Sequence, residues 1–156
     1  PDYQTIHATR EFLKANSRAI DTHLGRGKLG HLGLIISDAS YAMIAPATAD
    51  EQTLWIIPQS PGRAPATTDA TAAQISAARH IWEEDVQTYR TYTSVQQALK
   101  KHIISVFEPM YLDILNDNMV GYANISARDM LDHLFETYGN ITAVDLEMGG
   151  SQAKKE

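Results

Sequence analysis

The sequence contains no cysteine and is short of cations. The absence of cysteine excludes disulfide frameworks, cysteine-ligated zinc sites, zinc knuckles and cysteine nucleophiles. Thirteen Lys and Arg residues stand against 19 Asp and Glu residues, for a net charge of -6. This balance argues against the broad cationic face that nonspecific nucleic-acid binding requires, so we expect any contact with RNA to be local.

Long hydrophobic runs are absent as well. No apolar stretch approaches the roughly 20 residues of a membrane-spanning helix, and no charged and then apolar secretory signal opens the sequence. We therefore expect a cytoplasmic protein with no membrane partner.

The composition that remains is that of a globular protein. Of the 156 residues, 44% are hydrophobic and 21% are charged, which is enough for one domain or two small lobes. We interpret the chain as one domain in four parts. These are an N-terminal arm, helix and glycine-rich turn (1–31), a short element and proline-rich connection (32–70), a helical core (71–148) and a flexible tail (149–156).

The segment GRGKLG matches the G-x-G-x-x-G pattern of dinucleotide sites at Gly25, Gly27 and Gly30. In such sites a strand precedes the glycines and a helix follows them, whereas here a helical pattern precedes them. The Walker A pattern fails too, because Leu29 follows Lys28. We expect Gly25 to end the first helix in a left-handed conformation, the other glycines to form a flexible turn, and no nucleotide or other cofactor to bind.

Apolar periodicity predicts an all-α fold. Apolar positions recur at helical separations from Phe12 to Leu24, and again from Ile75 to Val106 along a helix that spans about residues 71 to 107. A bend in this long helix is expected near residues 91 to 93, where two threonines are poorer helix formers than their neighbours. Only LGLII, residues 32 to 36, is strand-like.

Capping and stop signals delimit the other helices. Ser37 is a candidate N-cap for a short helix through DASYAMIA. Pro109 is expected to stop or kink the long helix, and Glu108 before it to begin a shorter one through MYLDILND. Ser126 begins a capping box for a helix that Gly139 ends, and Thr142 repeats the pattern for a last short helix. We count at least five helices and no pair of strands.

The connection WIIPQSPGRAPATTDATAAQ precedes the long helix and is rich in proline, threonine and alanine. Such composition predicts an extended segment and the best candidate hinge of the chain. Pro58 and Pro61 have the P-x-x-P spacing that proline-recognition modules bind. We expect this segment to be a loop and not a ligand of such a module.

No catalytic or metal-binding constellation emerges from the sequence. The six histidines include no H-x-x-x-H pair, on which zinc sites without cysteine usually rest. Asp129 and His133 lie four residues apart, a spacing more typical of a solvated pair than of a metal site. Glu83, Glu84 and Asp85 point in different directions around a helix, which favours a solvated face over a general acid and base. We predict a protein that is not an enzyme, holds no metal and takes no small-molecule substrate.

Aromatic side chains fall mostly on the apolar stripes and have few basic neighbours. This placement predicts core packing rather than base stacking for Trp82, Tyr89, Tyr92, Phe135 and Tyr138.

Several blocks of sequence occur in a characteristic order over most of residues 10 to 147. They are LGRGKLGHLGLIIS followed by YAMI, then PQSPG, then TAAQI leading into YRTYTSVQQALKKHIISVFEPMYL, then GYANISARDMLDHLFETYGNITAVDLE. In these blocks and their spacing the chain resembles the gag, or capsid, region of copia-type LTR retrotransposons. The glycine block is then part of a family scaffold.

The resemblance implies a multi-helix, capsid-like domain that self-associates into a virus-like particle around RNA and catalyses no reaction. Members of that family usually continue into a further helical region and often a Cys/His zinc knuckle, whereas this chain turns to MGGSQAKKE. We therefore expect an N-terminal capsid lobe or a truncated, repurposed copy.

Two other functions stay open. A domesticated gag-derived adaptor would bind RNA or another protein without forming a particle, and an enzyme would hold a nucleotide at GRGKLG. RNA binding would need the cationic side chains to gather on one surface. The candidate RNA contacts are Arg10, Lys14, Arg18, Arg26, Lys28, Lys100 and Lys101.

Overall fold

The computed structural model of the chain describes residues 1–45, 55–66 and 68–139, apart from the side chain of Arg26. This part of the chain forms α1 (Tyr3–Arg18), α2 (Asp38–Ile44), α3 (Ala72–Val106) and α4 (Ala127–Tyr138), together with four short 3-10 helices. No β-strand occurs among these residues, and the predicted all-α class is confirmed.

Local side-chain caps explain where three helices begin. Ser37 Oγ accepts a hydrogen bond from the Ser40 amide at 3.2 Å, so Ser37 is the predicted N-cap of α2. Ser126 and Asp129 form the predicted capping box of α4, with hydrogen bonds of 3.0 and 3.1 Å. Thr71 begins another capping box, at the start of α3. Each cap satisfies amide groups that have no partner within the helix.

The core lies where α1, α4 and the C-terminal half of α3 pack together. Segments between the helices complete it, because Leu34, Ile35, Tyr41, Trp55 and Leu112 are also buried. The buried core residues from the three helices are Ile6, Leu13, Val95, Leu99, Ile103, Ala127, Met130, Leu131 and Leu134.

The long helix α3 is only half covered. Its bounds match the predicted 71 to 107, and it runs without a break through the threonines at which a bend was expected. The fully buried residues of α3 all lie in its second half, whereas Ile75 and Ile81 are 41% and 58% exposed. The reason is length, because a 35-residue helix spans about 52 Å whereas the 16 residues of α1 span about 24 Å.

The short elements differ from the sequence-based expectations. Helix α1 ends at Arg18 and not at Leu24, and the strand-like LGLII contains a 3-10 helix, Leu32–Leu34. The segment after Pro109 forms two 3-10 turns instead of a short α-helix. These expectations were wrong, and for α1 the reason is a contact distant in sequence, since the His31 amide donates to the Ser17 carbonyl oxygen.

The glycine turn brings the chain back against the end of α1. Gly25, Gly27 and Gly30 all have positive φ, at 57°, 70° and 55°. Gly25 thus has its predicted left-handed conformation, but it lies in a 3-10 helix, Leu24–Gly27, and does not end α1. A Cβ atom on Gly30 would lie 2.2 Å from the carbonyl oxygen of Arg18, so only glycine permits this approach.

Two further expectations concern other segments of the chain. Residues 55–66 of the proline-rich connection contain no helix or strand, as predicted for an extended segment. The last short helix expected from Thr142 and the expected tail over 149–156 lie outside the described residues.

We predict that Gly30→Ala destabilises the protein by roughly 2–4 kcal/mol, from left-handed strain plus displacement of the α1 backbone. Gly62→Ala is the matched control, because Gly62 has φ 70° and nothing within 4 Å of its Cβ position. That control should lose only about 1–2 kcal/mol from strain. Urea unfolding followed by circular dichroism measures both. Equal losses in the two variants would contradict the close approach.

Candidate interaction surfaces

The cationic side chains predicted to contact RNA lie in separate places. Arg10 and Lys14 of α1 line a groove bounded by α1, the segment before α2, α2 itself and α4. We call this the α1–α4 groove. Lys100 lines a different groove, between α3 and residues 122–126. Among the predicted contacts whose side chains the structure describes, only Arg10 and Lys14 line one groove together.

The other predicted contacts are surface residues of different elements. Arg18 is exposed in the last turn of α1, where a cation complements the helix dipole. Lys28 is exposed just after the first 3-10 helix, and Lys101 is exposed on α3. The side chain of Arg26 lies outside the described part of the chain. RNA binding through these residues stays a prediction.

Arg10 occupies an unusual position for a cation. Its guanidinium carbon lies 4.5 Å from the centre of the Phe135 ring, a cation–π contact. Its Nη2 lies 3.5 Å from His7 Nδ1, and its Nε is buried without a hydrogen-bond partner. No salt bridge to Arg10 occurs among the described residues. Arg10 thus retains the capacity to bind a carboxylate.

The α1–α4 groove has a cavity of about 430 Å³ with an apolar floor. Ile35 and Leu131 are buried in its floor, and Ile44 is exposed at its edge. Lys14 forms a 2.9 Å ion pair with Glu11, whose pKa it lowers by hydrogen bonding. Such an exposed pair is weak and exchanges partners readily.

The second groove combines two tyrosines with amide side chains and has a cavity of about 370 Å³. The rings of Tyr89 and Tyr92 lie 6.3 Å apart, and Gln96 Oε1 is buried without a partner. Lys100 Nζ donates to the carbonyl oxygen of Tyr122, and burial lowers the pKa of Lys100. Lys100 thus lies apart from the groove that Arg10 and Lys14 line and forms no shared cationic surface with them.

A third surface was not singled out from the sequence. Residues 108–121, which we call the acidic turn segment, carry three carboxylates, and no Lys or Arg occurs between Lys101 and Arg128. Four large apolar side chains of this segment are exposed, with Ile114 at 80% and Met119 at 91%. The long stretch without a cation was the sequence signal for it. The four exposed side chains are Met110, Ile114, Met119 and Val120.

A hydrogen-bonded turn presents Met119 and Val120. Asp117 and Gly121 exchange two backbone hydrogen bonds of 2.9 Å, and Gly121 has φ 62°. Asp117 Oδ1 accepts from the Met119 amide at 2.7 Å and from the Val120 amide at 3.1 Å. These two bonds lower the pKa of Asp117. The backbone is therefore ordered where two apolar side chains point to solvent.

The glycine motif offers no phosphate cradle in this fold. A Cβ atom on Gly25 would lie 2.0 Å from the Tyr41 hydroxyl oxygen, so this face of the turn is packed against Tyr41. No helix N-terminus follows Gly30, since the next element is a three-residue 3-10 helix. A nucleotide site of the dinucleotide type would need both features.

The candidate metal and acid–base residues have other partners. His133 Nε2 lies 3.1 Å from the Tyr111 carbonyl oxygen, and Asp129 belongs to the capping box of α4. Glu83 pairs with Arg79 at 3.6 Å, and both side chains are exposed. In the part of the chain that the structure describes, no three His, Asp or Glu side chains cluster as metal ligands would.

The aromatic side chains only partly follow their predicted role. Tyr92, Phe135 and Tyr138 pack against the core while half-buried. Trp82 and Tyr89 lie outside the core, since they belong to the uncovered half of α3. Trp82 Nε1 instead donates to the Gly62 carbonyl oxygen at 3.2 Å and so joins the proline-rich connection to α3.

None of the helices described for this chain has the length and apolar character needed to cross a membrane. Comparisons with known protein families, with characterised proteins and with solved structures find no match for the chain. The two grooves and the acidic turn segment are therefore the features of this chain that bear on its function.

We predict that Asp117→Ala accelerates hydrogen exchange at the amides of Met119 and Val120 severalfold, because both lose their acceptor. Asp117→Asn is the control, since its side-chain oxygen still accepts hydrogen bonds. A lowered pKa means that the carboxylate stabilises the turn above the usual aspartate value of about 3.9 and loses this effect as pH falls through the lowered pKa. Amide chemical shifts should report that titration in the unaltered chain and not in Asp117→Asn. Unchanged exchange in Asp117→Ala would contradict the assigned turn.

Proposed function

We propose that this protein is a structural, gag-like capsid subunit that self-associates into a retrotransposon-type particle or a related assembly in the cytoplasm. The observation that carries the proposal is the acidic turn segment, in which four large apolar side chains are exposed on an ordered backbone. Large apolar side chains exposed so close together in one segment favour a protein–protein contact surface.

The rest of the fold supports the same function. Further large apolar side chains are exposed on α2 and on the first half of α3, including Met43, Ile75 and Ile81. Several such surfaces around one helical core suit a subunit that contacts more than one neighbour, as closed shells require. The resemblance to copia-type gag regions supports the same assignment.

RNA is a weaker candidate as the driving partner. The net charge is -6, and Lys100 is paired with a backbone carbonyl away from the α1–α4 groove. An adaptor that depends on RNA would show binding that weakens steeply with salt, because each phosphate contact releases counterions. Apolar self-association of an acidic protein should instead strengthen with salt, which screens the repulsion between copies.

We predict concentration-dependent oligomers of the purified chain that become larger as salt is raised from low to physiological ionic strength. Sedimentation velocity with and without RNA measures this, and electron microscopy of the same samples shows whether shells or filaments form. A chain that stays monomeric at high concentration in both conditions would contradict the proposal. Assembly that needs RNA and disappears with salt would support the adaptor instead.

A further inference from the structure

Two surfaces of this chain have complementary chemistry. The acidic turn segment presents exposed apolar side chains, above all Met119, and its sequence has three carboxylates and no Lys or Arg. Lys100 of α3 reaches the carbonyl oxygen of Tyr122, just after the segment. The α1–α4 groove has an apolar floor that continues to Ile44 at its edge, and it is lined by the cations Arg10 and Lys14. The two surfaces share no residue.

We propose that the acidic turn segment of one copy docks into the α1–α4 groove of a second copy. This inference rests on the proposed function and names the surfaces that self-association uses. The occupant is a second copy because each chain carries both surfaces. The two surfaces are complementary in charge and are both partly apolar. A contact between two different patches is heterologous, so each copy keeps an unused half for the next copy and the assembly grows into a ring, shell or filament.

Charge favours this orientation of the two surfaces. Arg10 lies against Phe135 with a buried, unpartnered Nε, and no salt bridge to it occurs among the described residues. A carboxylate from the acidic turn segment would pair with the outer nitrogens of this guanidinium in a partly shielded site, where ion pairs are stronger than on an open surface.

Asp132 is the one carboxylate among the residues that line the groove. Burial, followed by the charge of Glu136, raises the pKa of Asp132, whereas the charges of Arg128 and Arg10 act in the opposite direction.

The order of the turn favours docking as well. The hydrogen bonds from the Met119 and Val120 amides to Asp117 hold the turn before a partner arrives, so little backbone entropy is lost on binding. Methionine adapts its shape to irregular apolar surfaces. The cavity of about 430 Å³ lies within the size range of pockets that enclose small ligands, so it is large enough to receive such a side chain.

The decisive experiment uses three variants of the full chain, each with a glutamate in place of an exposed apolar residue. Met119→Glu disables the turn segment and Ile44→Glu disables the groove. Ile56→Glu, at a 68% exposed position of the proline-rich connection, is the matched control. Sedimentation velocity should show that the first two weaken self-association at least tenfold and that the control does not, with circular dichroism confirming that all three are folded.

Mixing the two disabled variants tests the head-to-tail geometry directly. Each retains the half that the other lacks, so we expect a 1:1 dimer that grows no further, detectable by native mass spectrometry. A mixture that stays monomeric, or a control variant as impaired as the other two, overturns the inference while leaving self-association of the unaltered chain intact. A monomeric unaltered chain overturns the proposed function and this inference with it.

Charge reversal gives a second readout. Asp113→Lys and Lys14→Glu should each weaken association, and the chain carrying both changes should recover it, because the opposite charges meet again between copies. A double variant weaker than either single variant overturns the proposed orientation. Neither position is buried, so both substitutions are compatible with folding.

Discussion

The rest of the fold depends on the contact between the glycine turn and the end of α1. The His31 amide donates to the Ser17 carbonyl oxygen at 2.8 Å, and His31 Nδ1 lies 2.7 Å from the Ile20 carbonyl oxygen. Because a carbonyl only accepts, Nδ1 is the nitrogen that carries the proton. His31 is fully buried, so these bonds satisfy carbonyl groups that would otherwise lose water without compensation. The turn is thereby held at a fixed position against α1.

The turn that ends at His31 determines where the next elements of the chain lie. It directs Leu34 and Ile35 into the core and brings Ser37 to the start of α2, which forms one wall of the α1–α4 groove. Arg128 then ties this region to α4, since its guanidinium donates to the Gly33 carbonyl oxygen and lies 3.4 Å from Asp38. Each wall of the groove is therefore attached to the core by a hydrogen bond or by buried side chains.

Features set by neighbouring residues were predictable from the sequence, and features set by distant contacts were not. The caps at Ser37 and Ser126 need only a side chain and an amide three residues later, and the limits of α3 follow from its composition and its cap. The end of α1 depends on His31, which is 13 residues beyond Arg18. Whether Met119 is exposed or buried depends on the residues that pack near it. The identity of an apolar residue does not tell which of the two it will be. Charge spacing was the only local signal of that surface.

Apolar exposure and negative charge would have opposing effects on the proposed self-association. Four exposed apolar side chains in the acidic turn segment favour burial between copies, while a net charge of -6 makes copies repel one another at long range. Repulsion between whole molecules is screened within about 10 Å at moderate salt, whereas a carboxylate in contact with a partly buried guanidinium is screened much less. Contacts that bring a carboxylate to Arg10 therefore persist under conditions where unspecific repulsion has faded. In the proposed contact, the acidic composition would favour one orientation of neighbouring copies over unspecific apolar aggregation.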